Sequence, residues 1–540
     1  MGHNYKKDTV VYQIYPRSFC DTTGNGIGDI PGIISKLEYI ADLGINTIWL
    51  SPVYLSPNDD NGYDIADYKQ IQPEFGTMAD FEELVEKAKA YGIGIVMDLV
   101  INHTSDEHEW FKRALKGEEK YKNYYIIKKA TKDKVPNNWG NFFAECPWTK
   151  FGNSEEEYYL HLFSKKQPDL NWHNPEVLEE IKDIMRFWLD KGVVGFRCDV
   201  INVIYKNSLN NGKKKFILTG SEHYLSTDGC HEILRTLREE VLEPYGAFAV
   251  GETVFVDIPK AKDLCDEERK ELDFVFSFEH MECDQVVVKW FKRKLHPKKL
   301  MKTLTKWQKG LYWNATYFEN HDQPRFISRF HDLKGYREQA SKMIAGVLLT
   351  LRGTPFIYQG QEIGMVNGDF ENLSEIVDIE SHNVNAMARS LHLPKKMRWK
   401  MIKRTSRDNA RTPMQWNDSE NAGFSTKKTW LKVNKNYKVV NVENQQFDEN
   451  SVFSFWKKMI KLRKENDILA LGDFNSIYEG KSVYIFEREY EGKKFISVCN
   501  MSSKKQKFPV KHLKGKVIIS NYASKDGDLM PFEFRLIDVK

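Results

Sequence analysis

The sequence has few cysteines and no long apolar stretch. Its seven cysteines are scattered over 540 residues, and no two of them form a CxxC pair. Such a set argues against a disulfide framework and a zinc site, and it suits a reducing compartment. No apolar segment is long enough to cross a membrane, and residues 1–8 lack the apolar core of a secretory signal. We therefore expect a cytoplasmic protein without a membrane partner.

The sequence also has almost no net charge. Its 80 basic and 76 acidic residues leave a formal charge of +4, and the lysines are dispersed. A nucleic-acid-binding protein would carry a clustered basic face, so no nucleic-acid partner is predicted. Aromatic residues make up 13% of the chain, which suits sugar faces but also any core. Nothing in the composition calls for a second subunit, and we expect a monomer.

Apolar strands alternate with helical segments through most of the chain. Strands are predicted at 10–15, 45–50, 93–100, 193–200, 247–252, 272–278, 313–318 and 354–358. About eight strands alternating with helices predict an α/β protein with a closed parallel (β/α)8 TIM barrel.

Two parts of the chain depart from this alternation. Residues 104–171 predict an irregular lobe inserted after the third strand, and short β runs after about residue 468 predict an antiparallel β domain. The predicted domains are the barrel, 1–103 and 172–467, the inserted lobe, 104–171, and the C-terminal domain, 468–540.

The segment Asp21-Thr-Thr-Gly-Asn-Gly-Ile-Gly-Asp29 allows more than one interpretation. Its glycines faintly resemble a dinucleotide loop, but that motif requires an immediate helix. The alternation of oxygen-bearing side chains fits a calcium loop better. Its candidate ligands are Asp21, Thr23, Asn25, the carbonyl of Ile27, and Asp29. Because it has only two formal charges and a glycine at the usual bidentate position, we expect modest affinity. A metal-free turn is the competing prediction.

Charged side chains collect where the predicted strands end. Arg197 and Asp199 are two residues apart, so they share one face of their strand. Glu252 ends the next strand, and His321 with Asp322 follows the seventh. Because the carboxyl ends of barrel strands share one mouth, we expect these groups to meet.

Three chemistries could use such a cluster. In metal-dependent hydrolysis, Arg197 would repel the cation, and proton abstraction from carbon usually adds a lysine or a metal. Glycoside cleavage needs one carboxylate as nucleophile and a second carboxyl as acid/base, which fits best. We expect Arg197 to keep Asp199 ionised and Glu252, facing two aspartates, to hold a proton near neutrality. No catalytic cofactor is implied.

Several segments resemble the α-amylase superfamily, glycoside hydrolase family 13, from about residue 8 to the C-terminal domain. The four signature regions are similar to Asp98-Leu-Val-Ile-Asn-His103, Gly195-Phe-Arg-Cys-Asp199, Val250-Gly-Glu252 and Glu319-Asn-His-Asp322. Gln167-Pro-Asp-Leu-Asn171 resembles the marker of the oligo-1,6-glucosidase and dextran glucosidase subgroup. Further matches are Gln13-Ile-Tyr-Pro-Arg-Ser-Phe19, Ser56-Pro-Asn-Asp-Asp-Asn-Gly-Tyr63, Gly360-Gln-Glu-Ile-Gly364 and Arg407-Asp-Asn-Ala-Arg-Thr-Pro-Met-Gln-Trp416.

The resemblance implies a retaining double-displacement mechanism on an oligosaccharide. Asp199 would be the nucleophile, Glu252 the acid/base and Asp322 the transition-state stabiliser. The glucose would be held by the following residues: Asp60, Tyr63, His103, Phe163, Gln167, Arg197, His321 and Arg407. Valine after the nucleophile, here Val200, is typical of α-1,6-acting members.

This implies an exo-acting α-glucosidase that removes non-reducing glucose from isomalto-oligosaccharides. The enzyme alternatives are a broad α-1,4/α-1,6-glucosidase, a trehalose-6-phosphate hydrolase, for which Lys213 to Lys215 could supply basic groups, and a sucrose isomerase. A non-catalytic carbohydrate-binding protein is a more distant alternative, since it would be expected to lose one of the three acids. Two stretches bordering the outer subsite, after Met281 and from Asn207 to Gly229, are shorter than is usual in the family, which leaves the aglycone preference open.

Overall fold

The computed structural model describes residues 7–131, 134–143, 145–215, 217–286, 288–330, 333, 335–510, 513, 515–523 and 527–539. Residues 1–6, on which part of the signal-segment prediction rests, lie outside it. Within these ranges no helix is both long and apolar enough to span a bilayer.

Eight parallel strands form the central sheet. They are β1 Val11–Ile14, β2 Thr47–Leu50, β3 Gly94–Leu99, β4 Gly195–Cys198, β5 Phe248–Glu252, β6 Phe274–Phe276, β7 Ala315–Thr316 and β8 Thr354–Tyr358. Their order is β6-β5-β4-β3-β2-β1-β8-β7. The edge strands β6 and β7 come together where the Tyr317 hydroxyl donates to the Ser277 carbonyl at 3.0 Å. The sheet is therefore a nearly closed barrel, which confirms the predicted fold class.

Helices of at least eight residues connect these strands or follow them. They are Met78–Ala90, Pro175–Asp190, Asp228–Leu237, Ile258–Cys265, Pro297–Gly310, Arg337–Thr350, Ile379–Ser390, Lys395–Thr405 and Val452–Glu465. Shorter ones are Ile30–Ile34, Leu37–Leu43, Glu109–Leu115, Glu119–Lys122, Glu243–Tyr245, Asp408–Arg411, Val442–Gln446 and Asp467–Ala470.

The helix before the central strand shows how the sequence sets these boundaries. The Asn174 side chain caps it by accepting from the Glu176 amide, and Pro175 takes the first position, where no amide hydrogen is needed. Ile181, Met185 and Trp188 recur at helical spacing and are buried against the barrel. The chain then turns at Gly192, whose φ of 91° favours glycine, and enters β4.

The segment between β3 and this helix contains a small antiparallel sheet. Its strands are Ile127–Lys129, Trp148–Lys150 and Glu157–Leu160, with the last in the middle. The prediction of an irregular lobe thus missed this small sheet, because strands of three or four residues give little periodic signal. An isolated bridge between His103 and Asp169 joins the lobe to the barrel mouth.

The end of the chain forms a five-stranded antiparallel sheet. Its strands are Asp473–Glu479, Val483–Tyr490, Lys493–Asn500, Lys516–Ser520 and Phe534–Val539. Buried Arg488 donates to the carbonyls of Thr350 and Leu469 at 2.7 and 2.8 Å, which ties this sheet to the barrel. Two short antiparallel ladders lie elsewhere: Tyr54–Leu55 with Asp67–Ile71, and Gln285–Val286 with Val288–Lys292.

Candidate active site

Arg197 lies at the centre of the cluster of acids. Strand register sets it directly opposite Asp98 on β3. Its Nη1 donates to Asp98 Oδ1 at 2.6 Å and to Asp199 Oδ1 at 2.7 Å, and its Nη2 contacts Glu252 Oε2. Burial alone would lower the pKa of Arg197, but the three carboxylates raise it well above its ordinary value. Arg197 therefore places a permanent positive charge between the three carboxyls.

The pKa of Asp199 is shifted in the direction opposite to the one expected from its arginine neighbour. Burial raises the pKa of Asp199 well above the ordinary range, Arg197 opposes this, and the carboxyls of Glu252 and Asp98 add to the rise. The expected lowering of the Asp199 pKa by Arg197 is therefore outweighed by burial and by the neighbouring carboxyls. A hydrogen bond to Glu252 also raises the pKa of Asp199.

Asp322 is surrounded by basic side chains. His321 Nε2 lies 3.1 Å from Asp322 Oδ2, while Arg411 Nη2 and Arg407 Nη1 approach Oδ1 at 2.8 and 3.4 Å. Burial alone would raise the pKa of Asp322, yet His321 and the two arginines hold it well below its ordinary value. This third acid is therefore fixed as a carboxylate.

Two histidines are held in the site by hydrogen bonds. His321 receives the Gln13 amide at Nδ1, 2.7 Å away, and its Nε2 lies 2.7 Å from the Tyr63 hydroxyl, with the Tyr63 and His321 rings stacked at 5.3 Å. His103 Nε2 lies 3.0 Å from the Tyr63 carbonyl. Burial lowers the pKa of His103 to about 4. His103 is therefore neutral near pH 7 and available for hydrogen bonding.

A buried ion-pair network contributes to the wall of the site. Arg407 Nη2 binds Asp60 Oδ1 at 3.0 Å, and Arg407 Nε binds Asp378 Oδ1 at 2.8 Å. All three side chains are buried. The network therefore holds Asp60 and Arg407, which both line the cavity, in fixed positions.

The predicted site residues surround one cavity of about 690 Å³. Its lining includes Asp60, Tyr63, His103, Phe163, Gln167, Asp199, Val200, Glu252, Asp322 and Arg407. Arg197 and His321 lie behind this surface through the contacts given above. Val200 has a φ of 36°, a left-handed conformation that is rare for a β-branched residue, and strain of this kind is typical of functional sites.

A pocket with these groups can perform acid/base and nucleophilic chemistry on one small ring. It offers two carboxyls bound to one guanidinium and, in the same cavity, a carboxylate that stays ionised. Phe163, which lies 5.2 Å from the His103 ring and stacks on Phe142 at 4.8 Å, adds an apolar wall. This is the set of groups that glycoside cleavage requires.

Comparison with known proteins points to the same type of enzyme as the geometry of the site. The family model described as alpha amylase, catalytic domain, matches residues 13–472.

The chain belongs to the α-amylase family of glycoside hydrolases.

Its relatives cover its whole length. The oligo-1,6-glucosidase of Bacillus cereus is 44% identical over 100% of both chains, and that of Parageobacillus thermoglucosidasius is 46% identical over 99% of both. Among solved structures, the trehalose-6-phosphate hydrolase of Bacillus licheniformis has a TM-score of 0.93 at 40% identity and 99% coverage of both chains. The predicted family and enzyme class are confirmed.

The candidate calcium loop of this glycoside hydrolase is held by its own hydrogen bonds. Asp21 accepts from the amides of Gly24 and Gly26, both at 2.8 Å, while Asp29 accepts from Gly32 at 2.6 Å and thereby caps a helix. Thr23 donates its hydroxyl to Asp21, and the Asn25 oxygen accepts from the Ile27 amide. These contacts favour the metal-free turn, and calcium binding stays a prediction. Across the described ranges, no group of three or more His, Cys, Asp or Glu side chains is arranged to hold a metal.

Some side chains that contact the candidate active site were not singled out from the sequence. Arg411, Asp378 and Gln13 touch the site, although Arg411 and Gln13 belong to segments with a family resemblance. Trp49 donates to Asp98 at 3.2 Å and packs 5.1 Å from the Arg197 guanidinium. A buried aromatic on β2 gives no separate signal of function, because most such residues only fill a core.

Proposed function

We propose that this enzyme is a retaining exo-α-glucosidase that removes non-reducing terminal glucose from α-1,6-linked isomalto-oligosaccharides. The observation that carries the proposal is the placement of Asp199 and Glu252 on neighbouring nitrogens of one guanidinium, at the wall of one cavity. Two carboxyls held by the same guanidinium suit a retaining enzyme, in which they are about 5–5.5 Å apart, better than an inverting one, which needs room for a water between them.

In the proposed mechanism Glu252 is the general acid and holds its proton next to the glycosidic oxygen of the bound substrate. Arg197 then stabilises ionised Asp199, which attacks C1 as the C1–O bond breaks and the leaving alcohol takes the proton from Glu252. Water, deprotonated by Glu252, next hydrolyses the glucosyl ester and restores both carboxyls. Asp322, ionised throughout, stabilises the positive charge that develops on the ring.

Exo-action is proposed from the ion-pair network of Arg407, Asp60 and Asp378. We propose that this network closes the side of the pocket away from its entrance, so that a chain cannot extend past the bound glucose. The glucose must therefore be a non-reducing terminus. His103, Gln167 and Tyr63 provide donors and acceptors for its hydroxyl groups.

The α-1,6 preference is supported by Val200 and by the names of the relatives. Val200 lies next to Asp199 and belongs to an apolar cluster with Val203 and Tyr224. Its methyl groups face the cavity where the leaving sugar would sit. One such side chain is worth roughly 1–3 kcal/mol, a preference and not an absolute barrier.

A trehalose-6-phosphate hydrolase is the second candidate, because such enzymes from Escherichia coli and Bacillus licheniformis are both 40% identical to this chain. That function needs cations for the phosphate. Of the three candidate lysines, Lys215 lines the cavity, but its Nζ is bound to Glu222 at 2.8 Å and to the Ser221 hydroxyl at 2.6 Å. This pairing favours a neutral substrate.

A substrate panel tests the proposal. Isomaltose, panose, maltose, sucrose, isomaltulose and trehalose 6-phosphate are each incubated with the enzyme, and the first-formed anomer is followed by NMR. We expect the fastest turnover with isomaltose and α-glucose as the first product. A β-glucose first product would contradict retention, and faster trehalose 6-phosphate cleavage would establish the second candidate.

We propose further that the enzyme acts as a monomer in the cytoplasm. The cysteines at positions 20, 198, 230, 283 and 499 are buried thiols. Buried thiols persist in a reducing compartment. Sedimentation at micromolar concentration would test the monomer.

A further inference from the structure

The sugar pocket continues outward into an apolar groove. The cavity that holds the catalytic acids is also lined by side chains of the Val288–Lys292 strand and of the helix Ile379–Ser390. We call these six residues the outer groove: Val288, Trp290, Phe291, Val384, Met387 and Leu391. Phe291 and Leu391 remain 44% and 65% exposed, and together with their apolar neighbours in this lining they form a contiguous apolar patch of the kind that often marks a binding site.

The groove is a fixed extension of the glucose site. Trp290 Nε1 donates to Glu380 Oε1 at 2.9 Å, and Lys289 Nζ donates to Glu380 Oε2 at 2.7 Å. Glu380 in turn lies 3.8 Å from Arg407 Nε. A single buried carboxylate thus connects the groove wall with a residue that lines the glucose pocket. The Trp290 ring also packs against the cluster of Val384, Ala388 and Met401.

The charges around the groove favour a neutral leaving group over an anionic one. Lys289 is neutralised by Glu380, and Lys215 by Glu222. Glu145 and Glu282 line the same cavity, and burial raises the pKa of both. A phosphate would therefore meet paired cations and nearby carboxyls, whereas a neutral apolar group would meet hydrocarbon and aromatic surface.

We propose that the outer groove binds the leaving group of alkyl α-glucosides, and that a chain of about eight carbons fits it. From Val384 to Leu391 the helix rises roughly 10 Å, which is close to the length of such a chain. The inference rests on the proposed glucosidase function. The reaction is the same: Asp199 attacks C1, Glu252 gives its proton to the leaving oxygen, and the alcohol departs neutral.

A homologous series of substrates tests the inference. Methyl, butyl, hexyl and octyl α-glucosides, each below its micelle concentration, are compared by kcat/KM. Burying one methylene is worth about fourfold in affinity, and an open groove covers only part of the chain. We therefore expect kcat/KM to rise at least about tenfold from methyl to octyl.

Two exposed positions allow the groove to be altered without disturbing a core. In the variant Phe291→Ser with Leu391→Ser, we expect the octyl-to-methyl ratio to fall below about threefold. Val439→Ser is the matched control, because Val439 is 74% exposed and does not line the cavity. The control should keep the wild-type ratio.

The outcomes separate this inference from the proposed function. If isomaltose is cleaved but kcat/KM is the same from methyl to octyl α-glucoside, the groove does not bind the alkyl chain, and the proposed glucosidase function still holds. An equal rise of kcat/KM with chain length in the wild type and the double variant would also overturn the inference, since the alkyl chain would then bind elsewhere. If neither isomaltose nor any alkyl glucoside is cleaved, the proposed function fails and the inference fails with it.

Discussion

Replacing Val200 by threonine should shift the enzyme from α-1,6 toward α-1,4 bonds. Val200 is 6% exposed, lines the cavity beside Asp199, and packs in the cluster that contains Trp139, Val203 and Tyr224. Threonine has almost the same shape, so the change replaces one methyl group by a hydroxyl. That hydroxyl would favour a leaving sugar able to hydrogen-bond to it and would disfavour one that packs against the methyl group.

The magnitude follows from the size of the change. One methyl or hydroxyl contact in such a pocket is worth roughly 1–3 kcal/mol, so the ratio of isomaltose to maltose kcat/KM should fall between about fivefold and a hundredfold. A hydroxyl buried in this cluster without a partner should also lower the free energy of unfolding by about 1–3 kcal/mol. The assay is the kcat/KM ratio of the two disaccharides, measured together with urea denaturation.

A second valine in the same cluster separates specificity from stability. Val203 is fully buried but does not line the cavity. Val203→Thr should therefore lose similar stability and keep the wild-type substrate ratio. An unchanged ratio in Val200→Thr, or an equal change in Val203→Thr, would refute the role given to Val200.

Three further predictions concern single side chains. Asp199→Asn should still bind isomaltose in calorimetry while kcat falls by several orders of magnitude, and undiminished hydrolysis would exclude Asp199 as nucleophile. Arg411→Met removes a buried charge-assisted bond to Asp322, so kcat/KM should fall about 10- to 100-fold, with partial recovery in Arg411→Lys; unchanged kinetics would contradict its positioning role. Burial lowers the pKa of His280 to about 4 from 6.5. Between these two pH values the unfolded protein binds a proton at this histidine and the folded protein does not, so the free energy of unfolding decreases as the pH falls from 6.5 to about 4. Between pH 7.5 and pH 5, His280→Gln should lose about 2 kcal/mol less than wild type in urea denaturation, and equal losses would refute this.

The barrel and the catalytic acids could be predicted from local pattern. Two-residue spacing puts Arg197 and Asp199 on one face of a strand, and the ends of parallel strands bring Glu252 and Asp322 to the same mouth. The structure shows Arg197 in contact with both Asp199 and Glu252. These inferences needed only the period of a strand and the direction of a sheet.

The rest depended on contacts between distant residues. Arg411 binds Asp322 across 89 positions of sequence, and nothing local indicates the partner. The sign of the shift in the pKa of Asp199 depends on burial outweighing Arg197, and burial is a property of the assembled pocket. The Gln285–Val286 and Val288–Lys292 ladder is too short to give a periodic signal.

Trapping the glucosyl-enzyme tests the central claim most directly. A 5-fluoro-α-glucosyl fluoride forms the ester quickly and releases it slowly, so the label can be located by mass spectrometry after digestion. We predict one added fluoroglucosyl group on the peptide that contains Asp199, formed in wild type and absent in Asp199→Asn. A label on Glu252 or Asp322, or turnover with no covalent species, would contradict the mechanism.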